Sequence, residues 1–163
     1  MGQERREAAS AFIQVRMRSN RLPGKALSDI DGVTALERVV DGLRPSRLLR
    51  DIVIVTTRHP SDDPIEALAK KRDLLIYRGD YDNIVKRFLD AADAYGTEVI
   101  VRATGDCPAV SHEVADYLAE QHLETGSDYT TIETDKVAVG IYPDIISTAA
   151  LKRLAGFSVD FSY

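Results

Sequence analysis

The sequence predicts an α/β fold, a three-layer αβα sandwich built on a mainly parallel sheet. Short apolar, β-rich runs alternate along the chain with amphipathic helical stretches of roughly eight to thirteen residues, the pattern of right-handed βαβ crossovers. One of those runs, Asp51-Ile-Val-Ile-Val-Thr56, has almost no polar face, as a parallel strand covered on both sides requires. There are no repeats, no low-complexity segment and no linker, so one domain over residues 11–163 is expected, after a disordered lead or tag remnant over residues 1–10.

Ala11-Phe-Ile-Gln-Val-Arg16 is the first strand, and Leu22-Pro23-Gly24 prevents its continuation. A helix over 35–43 follows, with Thr34 as N-cap and Glu37 three residues on, a capping-box spacing. After the strand 51–56, Asp62 and Asp63 open a helix whose apolar face is Ile65, Leu68 and Ala69. Leu74–Tyr77 is the third strand. Asp82 is expected to cap a helix over 83–95, with Ile84, Phe88, Leu89 and Ala92 on one side. Val99–Ala103 is the fourth strand, and Ser111 caps a helix to about Glu124. Tyr129–Glu133 reads as a further strand, and Ser147 caps a last helix through Leu154.

The chain has 163 residues, 44% hydrophobic and 29% charged, enough to bury a sizeable core. No apolar run approaches the roughly 20 residues that span a bilayer. A lone cysteine, Cys107, excludes an internal disulfide framework and suits a cytoplasmic location. The net charge of −5 argues against a broad nucleic-acid footprint. Residues 11–28 nevertheless carry four cations (Arg16, Arg18, Arg21, Lys25) and no acid, which leaves −9 on the remainder. A local cationic patch on an acidic protein points to an anionic ligand bound at one place.

The topology says where. Open parallel sheets bind ligands beyond the carboxyl ends of their strands. The cationic loop 16–25 lies there, as do 56–63, 78–83 and 104–108, all polar and rich in Gly or Pro. A triphosphate carries about four negative charges, and guanidinium forks match its oxygens bidentately. The loop lacks the glycine spacings of a Walker A loop or a dinucleotide fingerprint.

Arg16-x-x-Ser19-x-Arg21-Leu22-Pro23-x-Lys25 resembles the Ala-Arg-x-x-Ser-x-Arg-Leu-Pro-x-Lys signature of cytidylyltransferases that activate acidic sugars, with Val15 where alanine is usual. The resemblance is greatest to the spore-coat polysaccharide biosynthesis branch, beside the acylneuraminate and keto-deoxy-octulosonate cytidylyltransferases. Val101-Arg-Ala-Thr-Gly-Asp-Cys-Pro-Ala-Val110 is similar to the family's Val-Arg-x-Thr-Gly-Asp-Cys-Pro-Leu-Ile. Two weaker similarities are Thr56–Ile65 and Arg78–Arg87, the second in the base-recognition region. In isolation, Asp106 reads as a turn former, Asp62 and Asp63 as caps, Cys107 as a small packed residue, and Arg87 equally as a solvated helix residue.

The resemblance implies a Rossmann-like sheet of the nucleotide-diphosphosugar transferase type. It implies transfer of CMP from CTP to a small sugar, an acidic cell-surface one, with release of pyrophosphate. It implies nucleotide binding by Arg16, Ser19, Arg21, Lys25, Arg78, Arg87, Thr104, Gly105 and Asp106, with Arg16, Lys25 and Asp106 catalytic. It further implies Mg²⁺ on Asp106 and Asp144, and a homodimer. The family's Gly-Leu-Asp-x-Glu-x-Phe-Ser run is replaced by Gly140-Ile-Tyr-Pro-Asp-Ile-Ile-Ser147, with Tyr142 in the place of the first acid. The family also commonly continues for several tens of residues beyond this point. Two alternatives follow: a non-catalytic nucleotide-binding module, or a nucleotide-sugar-dependent glycosyltransferase, which calls for an Asp-x-Asp metal pair after a strand, and no such pair is expected here.

Overall fold

The computed structural model describes residues 9–19, 22–133 and 135–157. In chain order the strands are β1 (Ala9–Gln14), β2 (Asp29–Ile30), β3 (Val33–Thr34), β4 (Leu49–Thr57), β5 (Leu75–Gly79), β6 (Val99–Thr104), β7 (Tyr129–Thr130) and β8 (Asp144–Ser147). The helices are α1 (Ala35–Leu43), α2 (Asp63–Lys71), α3 (Ile84–Tyr95), α4 (His112–Thr125) and α5 (Thr148–Ala155). Six strands form one sheet in the order β5-β4-β1-β6-β8-β7. The first four in that order are mutually parallel; β8 runs antiparallel to β6, and β7 antiparallel to β8.

Side-chain alternation along the central strands divides the core in two. Ala11 and Ile13 of β1, with Ile54 and Val101, pack against Leu36 and Val39 of α1, Ile65 of α2 and Leu118 of α4. Phe12, Val53, Val55 and Ile100 point the other way, onto Val85 and Phe88 of α3 and Leu151 of α5. Phe12 and Phe88 meet edge to face, their centroids 5.8 Å apart. A sheet covered on both faces is the αβα sandwich the sequence predicts, and it explains why β1 and β4 are apolar on both sides.

β1 begins at Ala9, two residues before the expected boundary. Ala9 and Ser10 have no exposed surface, and the Ser10 hydroxyl is satisfied by Thr97 Oγ1 at 3.2 Å. The rest of the expected lead lies outside the described residues. The α1 capping box forms as expected: Thr34 Oγ1 accepts from the Glu37 amide (3.2 Å) and Glu37 Oε2 from the Thr34 amide (2.9 Å). Ser111 and Ser147 accept from Val114 and Ala150, likewise as expected. The cap of α3 is Asn83 rather than Asp82, its side chain accepting from the Lys86 amide at 2.8 Å.

The far edge of the sheet departs most from expectation. The strand expected over 129–133 is only Tyr129–Thr130, and β8 was not expected at all. β8 is four residues long, follows Pro143, and owes its conformation to pairing with β6, from Val99 opposite Ser147 to Arg102 opposite Asp144. Long-range pairing of this kind leaves little local periodicity to read.

Candidate active site

β1 delivers the chain to the carboxyl edge of the sheet, where Val15 is still tied by its amide to Val55 O (3.2 Å). The loop then leaves and returns, pinched at its base where the Gly24 amide donates to Met17 O at 2.8 Å. Arg16 and Arg18 are exposed along its first limb. Ser19 Oγ accepts from the Leu22 amide at 3.4 Å. Arg21, a predicted phosphate ligand, lies outside the described residues. Lys25 opens the short 3-10 helix Lys25–Leu27, with Ala26 buried behind it.

Beneath the loop lies a cleft of about 450 Å³, and Arg16, Ser19, Lys25, Thr104, Gly105 and Asp106 all line it. The two strongest sequence motifs, some eighty residues apart, therefore meet at one place. Lys25 Nζ forms an ion pair with Asp106 across the cleft floor. Burial alone would push the Asp106 carboxyl up, but Lys25 and the Thr104 hydroxyl outweigh it and hold the group below its ordinary value. Gly105 is there because nothing larger fits: a Cβ would lie 2.8 Å from Val15 Cβ. Its amide donates to Gln14 O at 2.9 Å, so the motif loop is stitched to the end of β1.

The opposite wall comes from the β5–α3 turn, through Tyr81 and Asp82, and from the start of α3, through Ile84 and Arg87. Arg87 is only 4% exposed. Its Nη1 donates to Asp80 O (2.7 Å), while its Nε has no partner among the described residues. Burial, and then the charge of Arg16, push this guanidinium down from its ordinary value; Asp62 and Asp80 oppose that push. Gly79 makes room for the stem, since a Cβ there would come within 2.8 Å of Arg87 Cγ. A buried cation lining a cleft beside a second cation raises the local positive potential and favours an anion there.

Among the described residues, five cationic side chains line the cleft (Arg16, Arg18, Lys25, Arg87, Arg102) against two carboxylates, Asp82 and Asp106. Gln14, Arg18 and Arg102 line the site in addition to the residues the sequence predicts for it. Arg18 stood in the cationic run, and Arg102 inside the second motif, so the signal for both was present. Contrary to expectation, an Asp-x-Asp pair does follow a strand: Asp80-Tyr81-Asp82 comes directly after β5. Asp80 Oδ1, however, accepts from the amides of Asp82 (3.0 Å) and Asn83 (2.8 Å), shaping the turn. Only Asp82 of that pair lines the cleft.

Two predicted site residues sit elsewhere. Arg78 does not line the cleft: it pairs with Asp63 (2.8 Å) and Glu66 and donates to Thr57 O (2.8 Å) and His59 O (2.9 Å), bracing the β4–α2 connection against β5. Asp144, predicted as a metal ligand, is held by Arg102 Nη1 (2.7 Å), Tyr129 Oη (2.7 Å) and Thr131 Oγ1 (3.0 Å). Tyr142, in the place of the family acid, packs against the core on the α1 and α4 side of the sheet. Cys107 Sγ lies 2.9 Å from Thr104 Oγ1 and against Gly140, a packed position as expected. Among the described residues no cluster of three or more His, Cys, Asp or Glu is placed to hold a metal ion, and no helix is long and apolar enough to cross a membrane.

Asp62 was expected to cap α2 but makes no side-chain cap bond. It is wholly buried, and its Oδ1 accepts from the Met17 amide of the cationic loop at 2.8 Å.

Comparison with known proteins agrees with this geometry. A family model for cytidylyltransferases matches residues 10–154. The spore coat polysaccharide biosynthesis protein SpsF of Bacillus subtilis is 36% identical over 125 residues, covering 74% of this chain and 52% of that protein. A 3-deoxy-manno-octulosonate cytidylyltransferase of Serratia proteamaculans is 34% identical over 114 residues, covering 68% of this chain and 44% of the relative. The chain thus spans about half the length of the curated relatives it matches. Among solved structures, a cytidylyltransferase from Leptospira borgpetersenii serovar Hardjo-bovis has a TM-score of 0.86 at 30% identity, over 93% of this chain and 65% of that one. A CMP:2-keto-3-deoxy-manno-octonic acid synthetase has the same fold, with a TM-score of 0.73 at 13% identity, over 93% of this chain and 79% of that one. The motifs that meet at the cleft, the sheet that brings them together and the match over residues 10–154 place the chain in the cytidylyltransferase family.

Proposed function

We propose that the cleft binds CTP and that the protein transfers CMP to a small acidic sugar, releasing pyrophosphate. The observation that carries the reading is the cationic excess of the cleft at the carboxyl ends of β1 and β6, with Lys25 and Asp106 paired on its floor. The similarity to a 3-deoxy-manno-octulosonate cytidylyltransferase supports the choice of nucleotide and sugar class.

In this reading a sugar hydroxyl attacks the α-phosphorus in line. The new O–P bond forms as the bond to the β-phosphate oxygen breaks, and the hydroxyl proton passes to solvent. Arg16 and Lys25 hold the phosphates and offset the charge that gathers on the departing pyrophosphate. Lys25 exchanges its Asp106 partner for phosphate oxygen when nucleotide arrives. Arg87 faces the base or sugar through the part of its guanidinium that lines the cleft. Positioning and charge compensation, with no covalent intermediate, supply the rate.

Mg²⁺ is part of the proposal. It characteristically takes one or two carboxylates together with substrate phosphates, and Asp106 alone fits that donor set. With Asp144 engaged by Arg102, the protein contributes one carboxylate rather than two. Bound there, the ion would supply Lewis-acid charge compensation at phosphate.

The test is calorimetry with CTP, UTP and ATP, followed by pyrophosphate release with CTP, Mg²⁺ and a panel of acidic sugars. Selective CTP binding with turnover on one sugar is the expected result. CTP binding without turnover on any panel member would favour a non-catalytic nucleotide-binding module, the reading that the commitment of Asp144 and Tyr142 to structure supports. Indifference among the three nucleotides would sink the proposal.

A further inference from the structure

Asp62 is the feature of this chain that the nucleotide site does not yet account for. It has no exposed surface and stands where α2 begins, yet it does not cap that helix. Its Oδ2 accepts from Thr57 Oγ1 (2.5 Å), Thr56 Oγ1 (3.1 Å) and the Thr57 amide (3.3 Å). Its Oδ1 accepts from the Met17 amide (2.8 Å) and lies 3.4 Å from Ser61 Oγ.

Burying a carboxylate is costly unless donors surround it, and here they do. Three of the five come from the last two residues of β4, and a fourth, Ser61, from the β4–α2 connection where Asp62 itself resides. The fifth comes from 45 residues away, in the cationic loop. Met17 is the residue at which that loop is fixed: Arg16 precedes it, and its carbonyl accepts the Gly24 amide that closes the loop. One carboxylate therefore anchors the peptide plane between Arg16 and the loop's neck to the rigid end of a buried strand.

We propose that Asp62 is a positioning residue that preorganises the loop for polyphosphate through the Met17 amide. The inference rests on reading the cleft as a nucleotide site, but it concerns the loop alone and can fail separately. Asp62 also bears the same charge as the ligand. If charge were its only influence, removing it would strengthen polyphosphate binding. A tether predicts the opposite sign.

The experiment measures the affinity of wild type, Asp62→Ala and Asp62→Asn for CTP, CMP and inorganic tripolyphosphate by calorimetry. Losing a hydrogen bond to a charged group changes an equilibrium by about 10- to 150-fold, so we expect Asp62→Ala to weaken CTP and tripolyphosphate about 30-fold. CMP, which lacks the outer phosphates, should weaken less than about 3-fold, and Asp62→Asn, which keeps an acceptor for the Met17 amide, should recover most of the loss. Tripolyphosphate binding to Asp62→Ala at or above wild-type affinity overturns the proposal. So does an equal loss for CMP and CTP, which would mark a general structural defect. Wild type that binds tripolyphosphate but shows no preference for CTP sinks the nucleotide reading and leaves the role of Asp62 standing. Should Asp62→Ala fail to fold, amide exchange in the wild-type protein decides: slow exchange at Met17 supports the tether, and exchange at the rate of neighbouring loop amides overturns it.

Discussion

The phosphate side of the cleft and the β7–β8 edge of the sheet both bring arginine and aspartate together, and they use them in opposite ways. At the edge, Asp144 is saturated by Arg102, Tyr129 and Thr131, and burial followed by Asp144 pushes the Tyr129 phenol up from its ordinary value. That charge holds strands together. Around the cleft, cations outnumber acids among the described residues, and Asp106 on its floor is paired with Lys25. An excess of one sign gathered in a cleft focuses the local potential and attracts a ligand of the opposite sign, which is how a binding site differs from a self-neutralised network of the same residue types.

The sharpest way to break this comparison is Asp106→Asn. Turnover with CTP and Mg²⁺ should fall about 1,000-fold, the scale of losing one preorganised electrostatic element. Binding of CTP without metal should hold or tighten, since Lys25 is released. The same variant has a pH signature. The folded Asp106 carboxyl is held below its unfolded value, so its pair contributes stability above the unfolded carboxyl range and loses it as pH falls through the folded one. Denaturant midpoints measured from neutral pH down to about pH 3 should lose that acid limb in Asp106→Asn.

Lys25→Ala comes next. A hydrogen bond to a charged group is worth about 1.5–3 kcal/mol, so CTP affinity measured by calorimetry should drop about 10- to 100-fold. Asp144→Asn should do the reverse of both. It leaves CTP affinity within about 3-fold but lowers stability by about 1–3 kcal/mol in a denaturant melt, because the Arg102 guanidinium loses its charged partner. If Asp144→Asn instead abolished turnover at unchanged stability, the division between the two regions would be wrong.

The same division explains what was legible in the sequence. The cationic loop announced itself because its residue types lie close together in one run, and the Thr34 capping box because it is a three-residue rule. Asp106 and Lys25 were both assigned to the site; their contact was not foreseeable, since the parallel pairing of β1 with β6 creates it. β8 is not legible because only its pairing with β6 and β7 makes it a strand. Arg78 was misplaced because a basic residue ending β5 looks identical whether it turns into the cleft or back onto Asp63 and Glu66. Asp62 looked like a cap because sequence shows which helix follows it but not which distant amide its carboxylate meets.

The smallest expected effect tests whether the cationic excess acts by contact or at a distance. Arg18 lines the cleft from an exposed position and makes none of the polar contacts described for the loop, so its charge is screened by salt where those of Lys25 and Arg87 are partly shielded. Exposed charges contribute roughly 0.2–1 kcal/mol, which sets the expectation for Arg18→Ala at about a 3-fold loss of CTP affinity in low salt. By about 0.5 M salt, where the screening length is under roughly 5 Å, the variant and wild type should coincide. A loss that persisted at high salt would mean that Arg18 grips phosphate directly and belongs with Arg16 and Lys25 in the built part of the site.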